Sequence, residues 1–290
     1  MAKDRWASLC KLFEKDDHLP TREAGGWTEK KLFFWHRYID ITTTAMVGHP
    51  QWPAGLCYVD LFAGPGVCTL RDSGIRIPGS ALIAAHALKP FSKILICEME
   101  QDLADACSAR LANSPARGRF QMFVGDCNLK AREIASKIVP GALTLAFIDP
   151  TGLDARFETI AALSKCGRVD LLILFADAYD INRNVELYYQ QGARSKLDGV
   201  LGPDSNWRES WDSLETRTSA NIRAMFADIY IEQLRNHLGY KKFGQPYVIR
   251  SGNVPLYRLI YASKHERGLD FWEKTVKKVP SGQMDMFSGE

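Results

Sequence analysis

The sequence predicts an α/β fold with a mostly parallel sheet and an antiparallel hairpin near its C-terminal end. Five short apolar runs alternate with helical segments, and this alternation is typical of a parallel sheet with right-handed crossovers. The five runs cover residues 57–62, 94–98, 120–124, 143–148 and 169–175. Two further strand-like runs, residues 247–249 and 256–261, are separated by a short turn and therefore predict the hairpin.

Composition indicates an ordinary globular protein. The chain has 290 residues, of which 46% are hydrophobic and 24% charged. The net charge of +3 neither indicates a nucleic-acid binder nor excludes one. Seven cysteines form no CxxC pair, which favours reduced thiols in a cytoplasmic protein over disulfides or a metal site. We also expect no membrane span and no signal peptide, because no apolar run is long enough.

A helix is predicted ahead of the first strand. Its apolar positions recur at helical spacing: Leu32, Phe33, Trp35, Tyr38 and Ile39. We expect Thr28 to cap its amino end, and Lys30 and Lys31 to face solvent. Residues 1–55 are thus predicted to form a helical cover over the sheet.

The first strand ends in a glycine turn, with the sequence YVDLFAGPG at residues 58–66. Gly64 and Gly66 allow the backbone to turn sharply and a ligand to approach it. In an open α/β sheet this turn lies at the mouth of the ligand crevice. A strand-loop junction without a ligand is the alternative. Residues 67–79 then predict a loop or small hairpin before a helix that Ser80 can cap, so a phosphate at a helix amino end is not favoured.

Three further strand tips carry acids. Glu98 ends the second strand, Asp126 follows the third, and the fourth ends in Asp149, Pro150, Thr151 and Gly152. A carboxylate at the second tip can accept both hydroxyls of a ribose. The alternatives are a solvated acid at Glu98 and a simple strand-ending turn at Asp149.

The remaining chain predicts helices and a tail. Residues 180–220 are predicted to form a helical insertion over the crevice, which either contacts substrate or packs for stability. A long helix, residues 221–238, ends at Gly239, and a last helix lies within residues 268–279. We therefore predict one domain, residues 1–279, and a flexible tail, residues 280–290.

The five parallel strands, the hairpin and the residues at the four strand ends together resemble the Rossmann-like class I fold of S-adenosylmethionine-dependent methyltransferases. The resemblance implies that Asp60 and the Gly64–Gly66 backbone hold the methionine part, that Glu98 takes the ribose and that Asp126 takes the adenine amino group. The full implied cofactor site is Asp60, Phe62, Ala63, Gly64, Gly66, Glu98, Met99, Asp126, Cys127 and Asp149.

A closer resemblance covers nearly the whole chain. The segments WTEKKL at 27–32, YVDLFAGPG at 58–66, PGSA at 78–81, FIDPTGL at 147–153 and YRLIYA at 257–262 are similar to the bacterial three-Cys-motif partner proteins. Members of that family are encoded beside a protein with a three-cysteine, radical-type iron-sulfur motif. The resemblance therefore implies such a protein as a partner.

The end of the fourth strand carries the candidate catalytic residues for methyl transfer. Methyl transfer needs in-line positioning and a proton acceptor or polar clamp, for which Asp149 with Pro150 and Thr151 is the candidate catalytic set. Enzymes that methylate base amino groups carry Pro-Pro-aromatic after the acid or Asn, whereas Thr151 and Gly152 follow Pro150 here. This departure argues against base amino methylation, or moves the stacking role to Tyr179, Tyr188 or Tyr189. Cys166 lacks the Pro-Cys context that a cytosine-C5 mechanism needs.

The tail adds a separate indication. Its sequence QMDMF, with Gln283, Asp285, Met286 and Phe287, resembles the peptides by which bacterial replication and repair proteins bind the DNA sliding clamp. A polar end with a stray aromatic is the alternative. A real clamp peptide would make the substrate DNA.

Three functions compete on the sequence alone. The first is a cytoplasmic S-adenosylmethionine-dependent methyltransferase acting on nucleic acid, DNA before RNA. The second is a catalytically silent scaffold for the iron-sulfur partner and the clamp. The third, a nicotinamide-dependent dehydrogenase, is disfavoured because a third glycine is missing after Gly66 and because it has no use for Asp126 and Asp149.

Overall fold

The computed structural model of the chain describes residues 2–277, with side chains from Arg5 onward. Its strands are β1 (Arg22–Ala24), β2 (Leu56–Asp60), β3 (Val67–Leu70), β4 (Arg76–Pro78), β5 (Lys93–Glu98), β6 (Phe120–Val124), β7 (Leu143–Ile148), β8 (Arg168–Phe175), β9 (Lys242–Phe243), β10 (Tyr247–Ser251) and β11 (Val254–Ser263). Its helices are α1 (Ala2–Lys11), α2 (Trp27–Met46), α3 (Ser80–Ala85), α4 (Gln101–Ala112), α5 (Cys127–Ser136), α6 (Phe157–Ser164), α7 (Asn182–Gln190), α8 (Lys196–Leu201), α9 (Trp207–Asp212), α10 (Ser219–Leu238) and α11 (Glu266–Val276), with a π-helical turn at Asp177–Ile181.

The main sheet has the strand order β10-β11-β8-β7-β2-β5-β6, with β9 paired to β11. Strands β8, β7, β2, β5 and β6 are parallel, whereas β11 runs antiparallel to β8 and to β10. The chain thus starts in the middle of the sheet at β2, moves out to β6, and returns to the other side of β2 at β7. The second hairpin strand inserts between β8 and β10. This order is that of the Rossmann-like class I methyltransferase fold, so the predicted fold class is confirmed.

Helices cover both faces of this sheet. On one face α2 packs against α3 and α11, and α3 against α4; on the other α5 packs against α6, and α8 against α6 and α10. Every residue of β2 and β7 is buried, which explains their continuous apolar sequence. All seven cysteines are free, four of them buried and three half-buried.

A small second sheet lies beside the glycine turn. Strands β3 and β4 form the hairpin that residues 67–79 predicted, and β1 adds to it parallel to β3. We call residues 16–24 the strap, because this segment crosses the hairpin before α2 begins. The sequence did not predict β1.

Three helix starts differ from the prediction. Gly26 is the N-cap of α2 and Thr28 is buried inside the helix, so Thr28 is not the cap. Ser80 is the first helical residue of α3 and Gly79 is its N-cap. Gly79 donates its N–H to the carbonyl oxygen of Gly66 at 2.7 Å, a tertiary contact that sets where α3 begins. The sequence after the third strand predicts a helix over residues 129–138, whereas α5 starts two residues earlier, at Cys127, with Asp126 as its N-cap.

The longest helices, α2 and α10, have 20 residues each and carry charged side chains along their length. In the described part of the chain no helix combines the length and apolarity that a bilayer crossing requires. The predicted clamp peptide, Gln283 to Phe287, lies outside the described residues.

Candidate active site

Two adjoining cavities lie at the carboxyl ends of β2, β5, β6 and β7. The large cavity, about 1080 Å³, is lined by the tips of β5 and β6 and by α6 and α8. The small cavity, about 390 Å³, is lined by the glycine turn, the tip of β7, the strap and α2. Arg22, Phe62 and Thr151 line both. Volumes of this size are typical of small-molecule sites, and their position is the switch point of the sheet.

The predicted site residues divide between these cavities. Glu98, Met99, Asp126 and Cys127 line the large one. Ala63, Gly64, Gly66, Asp149 and Pro150 line the small one. Asp60 lines neither. The structure therefore brings the predicted residues together, with Asp60 beneath the turn and not in a cavity wall.

The glycine turn needs both of its glycines. Gly64 and Gly66 have φ values of +60° and +87°, in the left-handed region that favours glycine. A Cβ on Gly66 would also lie 3.4 Å from Leu82 and from Cys107 Sγ. The turn thus packs tightly against α3 and α4 while its outer side stays open to the small cavity.

Asp60 supports the turn from below. Its Oδ1 accepts the Phe62 N–H at 3.2 Å, and its Oδ2 accepts the Tyr58 hydroxyl at 3.1 Å. Tyr58 in turn accepts the Trp35 indole N–H at 2.9 Å, so α2 takes part in the same network. Burial raises the pKa of Asp60 to about 7, because no solvent stabilises its charge. Its predicted contact with the methionine part remains a prediction.

Glu98 ties the tip of β5 to the glycine turn. It is 5% exposed, and its Oε2 accepts the Gly64 N–H at 2.7 Å. Its Oε1 accepts the N–H groups of Met99 at 2.8 Å and Glu100 at 3.1 Å. A carboxylate offers about four acceptor positions, so three are used. In this arrangement one acceptor position of Oε2 is left for a ligand, and the contact of Glu98 with a ribose remains a prediction.

Asp126 combines a helix cap with a free oxygen. Its Oδ1 accepts the backbone and side-chain N–H groups of Asn128 at 2.8 and 2.9 Å. Its Oδ2 has no partner among the described residues and is available to the large cavity. Met99, 71% exposed, offers an apolar surface in the same cavity. Burial raises the pKa of the neighbouring Cys127 to about 12, so this thiol stays protonated.

Asp149 forms an ion pair with Lys31. The Lys31 ammonium lies 2.6 Å from Asp149 Oδ2, and the two side chains are only 6% and 16% exposed. The prediction that Lys31 faces solvent is therefore wrong. Trp27, Lys31 and Trp35 are spaced four residues apart, so they share the face of α2 that points to the sheet. That spacing is the sequence signal that could have placed Lys31 correctly.

Aromatic rings close one side of the small cavity. The ring of Tyr257 lies 5.0 Å from that of Trp27 and stacks on that of Tyr179 at 5.5 Å. Tyr257 also donates its hydroxyl to the Thr151 carbonyl at 3.2 Å. Tyr179 lines the small cavity and is 42% exposed, so one face of its ring is accessible.

The other two predicted stacking residues lie elsewhere. Tyr188 is buried and donates to Asp180 at 2.6 Å, and Tyr189 donates to Asp212 at 2.9 Å. Neither lines a cavity. Cys166 follows the C-terminal end of α6 and donates its thiol hydrogen to the carbonyl of Ala135 in α5. It therefore also lies outside the site. Tyr179 is thus the candidate that the fold brings to the site.

Sequence reasoning missed Arg22. This residue begins β1, is half-buried and lines both cavities. No motif or periodicity surrounds it, because only the pairing of β1 with β3 brings it to the cleft. In the described part of the chain no group of three His, Cys, Asp or Glu side chains is arranged to hold a metal ion.

Comparisons with known proteins give low-identity matches to solved structures. The Legionella pneumophila protein LPL1258 is 11% identical, with a TM-score of 0.48 over 86% of this chain and 94% of its own. The O-methyltransferase TomG from Streptomyces achromogenes, solved in complex with SAM, is 11% identical, with a TM-score of 0.45 over 91% of this chain and all of its own length, 100%. An O-methyltransferase from Bacillus cereus, solved in complex with SAH, is 9% identical, with a TM-score of 0.44 over 91% and 90%.

No family model matches the sequence, and no curated protein does. The strand order therefore remains the basis of the fold assignment. The closer resemblance to the three-Cys-motif partner proteins stays a prediction.

Proposed function

We propose that the protein is an S-adenosylmethionine-dependent methyltransferase. One observation carries the proposal: the class I strand order gathers the glycine turn, Glu98, Asp126 and Asp149 around two adjoining cavities at its switch point. A nicotinamide-dependent dehydrogenase would have no use for the last two acids.

The large cavity suits the adenosine part of the cofactor. Glu98 Oε2 accepts one ribose hydroxyl, and Asp126 Oδ2 accepts the adenine amino group. Met99 covers the base with its exposed apolar side chain, and Cys127 borders it. The small cavity takes the methionine part against Phe62, Ala63 and the Gly64–Gly66 backbone.

The methyl acceptor approaches between Asp149, Thr151 and Tyr179. Bound at the junction of the cavities, S-adenosylmethionine would supply a methyl group on a sulfonium. Lys31 balances the charge of Asp149 and occupies its Oδ2. Oδ1 has no hydrogen-bond partner among the described residues, so it can orient the acceptor and take its proton. Pro150 and the Tyr257 hydroxyl hold the Thr151 backbone in place.

Titration calorimetry with S-adenosylmethionine and S-adenosylhomocysteine tests this proposal. We expect Kd values near micromolar, about −8 kcal/mol. Glu98→Gln and Asp126→Ser should each weaken binding about tenfold or more, because each removes an acceptor of a cofactor donor. Serine keeps the N-cap of α5, so the second variant isolates the lost carboxylate.

Glu158→Gln is the matched control, since it removes an exposed acid from the rim of the large cavity. It should bind both compounds like the wild-type protein. Absence of binding to the wild-type protein would exclude the methyltransferase and favour the alternative, a catalytically silent scaffold.

We further propose that the acceptor is a nucleic acid, DNA before RNA. Tyr179 offers an accessible ring for a base, and the Arg183 guanidinium lies 5.1 Å from the centre of that ring. Arg258 is ion-paired at 2.8 Å with Asp177, two residues before Tyr179, and it acts with Arg250 on the charge of Arg223. The pKa of Arg223 is lowered, chiefly by burial and also by repulsion from Arg258 and Arg250. Attraction to Asp177 opposes this shift. An arginine beside an exposed aromatic is a combination that binds a phosphate and stacks a base. Arg223 and Arg258 add positive charge around Asp177 of the same π-helical turn.

The predicted partners extend this proposal. The three-cysteine iron-sulfur protein follows from the family resemblance, and the sliding clamp from residues 283–287. A protein that docks on the clamp would meet DNA, which is why DNA is placed before RNA. Both partners stay predictions.

A further inference from the structure

We propose that Arg22 is the receptor for the carboxylate of the cofactor's methionine part. This assignment rests on the proposed methyltransferase function. It gives the strap, which no sequence motif marks, a direct role in binding the cofactor.

The strap is held firmly at the glycine turn. Asp17 accepts two N–H groups of Arg110, at 2.7 and 2.8 Å, and one of Arg76 at 2.5 Å. Arg110, 4% exposed, also donates to the carbonyls of Pro20 at 2.8 Å and Pro65 at 2.6 Å. One buried guanidinium therefore joins the strap to the middle of the glycine turn. The position of β1 relative to the cofactor loop is fixed by these bonds.

This anchoring places Arg22 at the boundary between the two cavities. In the β1–β3 ladder Arg22 lies opposite Cys68, which itself lines the small cavity. Phe62 and Thr151, the other residues common to both cavities, mark the same boundary. A cofactor with its nucleoside in the large cavity and its amino-acid part in the small one must pass this point.

The charges of the small cavity leave Arg22 without a counterion. Its lining cations are Arg22, Lys31 and Arg71, and its lining acids are Glu23 and Asp149. Lys31 is paired with Asp149, whereas Arg71 and Glu23 are exposed. Within residues 2–277 the guanidinium of Arg22 makes no hydrogen bond or ion pair. A half-buried cation loses part of its hydration, and without a counterion no interaction replaces it. An anionic ligand would therefore stabilise Arg22.

The carboxylate is the anion that S-adenosylmethionine offers. Its sulfonium and ammonium are cations, which suit the acid Asp149, and its hydroxyls suit Glu98. A guanidinium binds a carboxylate through two parallel hydrogen bonds, a geometry that lysine cannot reproduce. Arg22 is therefore the residue whose chemistry and position match this group.

Calorimetric titration of two ligands tests the assignment. S-adenosylhomocysteine carries the carboxylate, and 5′-methylthioadenosine lacks the whole amino-acid group. Arg22→Gln should weaken binding of the first by about 10- to 100-fold and leave binding of the second within about twofold. Arg22→Lys should recover part of the loss. Arg71→Gln, which removes the same charge from the exposed rim of the same cavity, should bind both ligands like the wild type.

A second measurement removes the anion from the ligand. The methyl ester of S-adenosylhomocysteine, which lacks the anion, should bind about 10- to 100-fold more weakly than the parent compound. In Arg22→Gln the ester and the parent should bind alike. Equal affinity of Arg22→Gln and the wild type for S-adenosylhomocysteine would overturn the assignment, as would equal losses for both ligands. Failure of the wild type to bind either nucleoside would instead overturn the proposed function itself.

Discussion

Asp60 is a carboxylate at the centre of the sheet that no solvent reaches. It sits below the glycine turn, accepts hydrogen bonds from Phe62 and Tyr58, and is paired with no cation. By contrast, Asp149 at the neighbouring tip is balanced by Lys31. Burial, together with repulsion from Asp149, raises the pKa of Asp60 to about 7.

The raised pKa of Asp60 predicts that the stability of the fold depends on pH. The pKa of Asp60 rises from its usual value of 3.8 in the unfolded chain to about 7 in the folded one. Between these values the folded state binds more protons, so the free energy of unfolding falls as pH rises towards 7 and levels off above it. Asp60→Asn should lose this contribution. Between pH 5 and pH 8 the wild type should lose roughly 2 to 3 kcal/mol relative to the variant, as measured by urea denaturation.

A parallel pH dependence of the wild type and Asp60→Asn would contradict this expectation. Asparagine keeps the acceptor for the Phe62 N–H, so the variant tests the charge and not the shape of the site. The comparison with the variant also removes the contributions of Asp170 and Asp177, whose pKa values burial raises as well.

At the residue scale, the sequence located acids and glycines but not their partners. Glu98, Asp126 and Asp149 could be found because each follows an apolar run. The partners of Glu98 and Asp149 depend on tertiary contacts: the Gly64 N–H comes from another strand tip, and Lys31 from a helix 118 residues away in sequence. Arg22 had no local signal at all.

The packing of helix α11 depends on a glycine, Gly268, at its closest contact with the core. Gly268 lies in α11 against a buried network in which Asp170 accepts hydroxyls of Tyr38 at 2.8 Å, Tyr261 at 3.1 Å and Ser263 at 2.6 Å. A Cβ on Gly268 would come within 2.4 Å of the Tyr261 oxygen and 2.9 Å of Asp170 Oδ2. The network joins α2, β8 and β11, and α11 approaches it closely because residue 268 is glycine.

Two glycine-to-alanine changes should therefore have opposite effects. Gly268→Ala should lower the free energy of unfolding by about 1 to 3 kcal/mol, because the added methyl group forces the network apart. Gly199→Ala in α8 is the matched control, since its Cβ would meet no atom closer than 3.9 Å. That change should raise stability by up to about 1 kcal/mol through helix propensity. Urea denaturation of both variants measures the difference, and stabilisation by Gly268→Ala would contradict the packing argument.

At the element scale, strand positions were predictable and helix starts were less so. Residues 120–124 and 143–148 are strands with the predicted bounds, because continuous apolar runs between turns can be read directly. The starts of α2, α3 and α5 were displaced by one to two residues. Gly26 and Gly79 are the caps where Thr28 and Ser80 were expected, and Asp126 caps α5 ahead of its predicted start. Strand β1 is three residues long and forms only against β3, so no local pattern indicates it.

The whole molecule presents different surfaces at the two ends of its strands. The carboxyl end carries both cavities, Tyr179 and the group of Arg183, Arg223, Arg250 and Arg258. The amino end carries the connections that return the chain, such as the one from α4 to β6 that contains Arg117. We expect the proposed nucleic-acid acceptor to bind at the carboxyl end.

Binding of labelled oligonucleotides should depend on that end of the molecule. We expect Arg250→Gln to weaken binding of single-stranded DNA and to lower the salt slope by about one, since one phosphate contact is lost. Tyr179→Ala should remove a stacking contact worth about 1 to 3 kcal/mol. Arg117→Gln removes the same charge from the opposite end and should change little. Fluorescence anisotropy across a salt series measures all three.

Equal losses in Arg117→Gln and Arg250→Gln would contradict a specific face, and no binding by the wild type would contradict a nucleic-acid acceptor. Tighter binding of RNA than of DNA with the same sequence would move the acceptor to RNA. The sequence could not define this face, because its residues come from three separate segments that meet only in the folded chain.

The Lys31–Asp149 pair has a consequence for where the functional unit begins. Every motif that marks the proposed cofactor site lies after residue 57, so a protein engineer who trimmed the chain to its motifs would discard α2. The trimmed chain would keep each signature residue yet leave Asp149 with an unbalanced charge and Tyr58 without its indole donor. Helix α2 thus supplies the counterion at the fourth strand tip, and a design that lacks α2 should be regarded as a different site on the same fold.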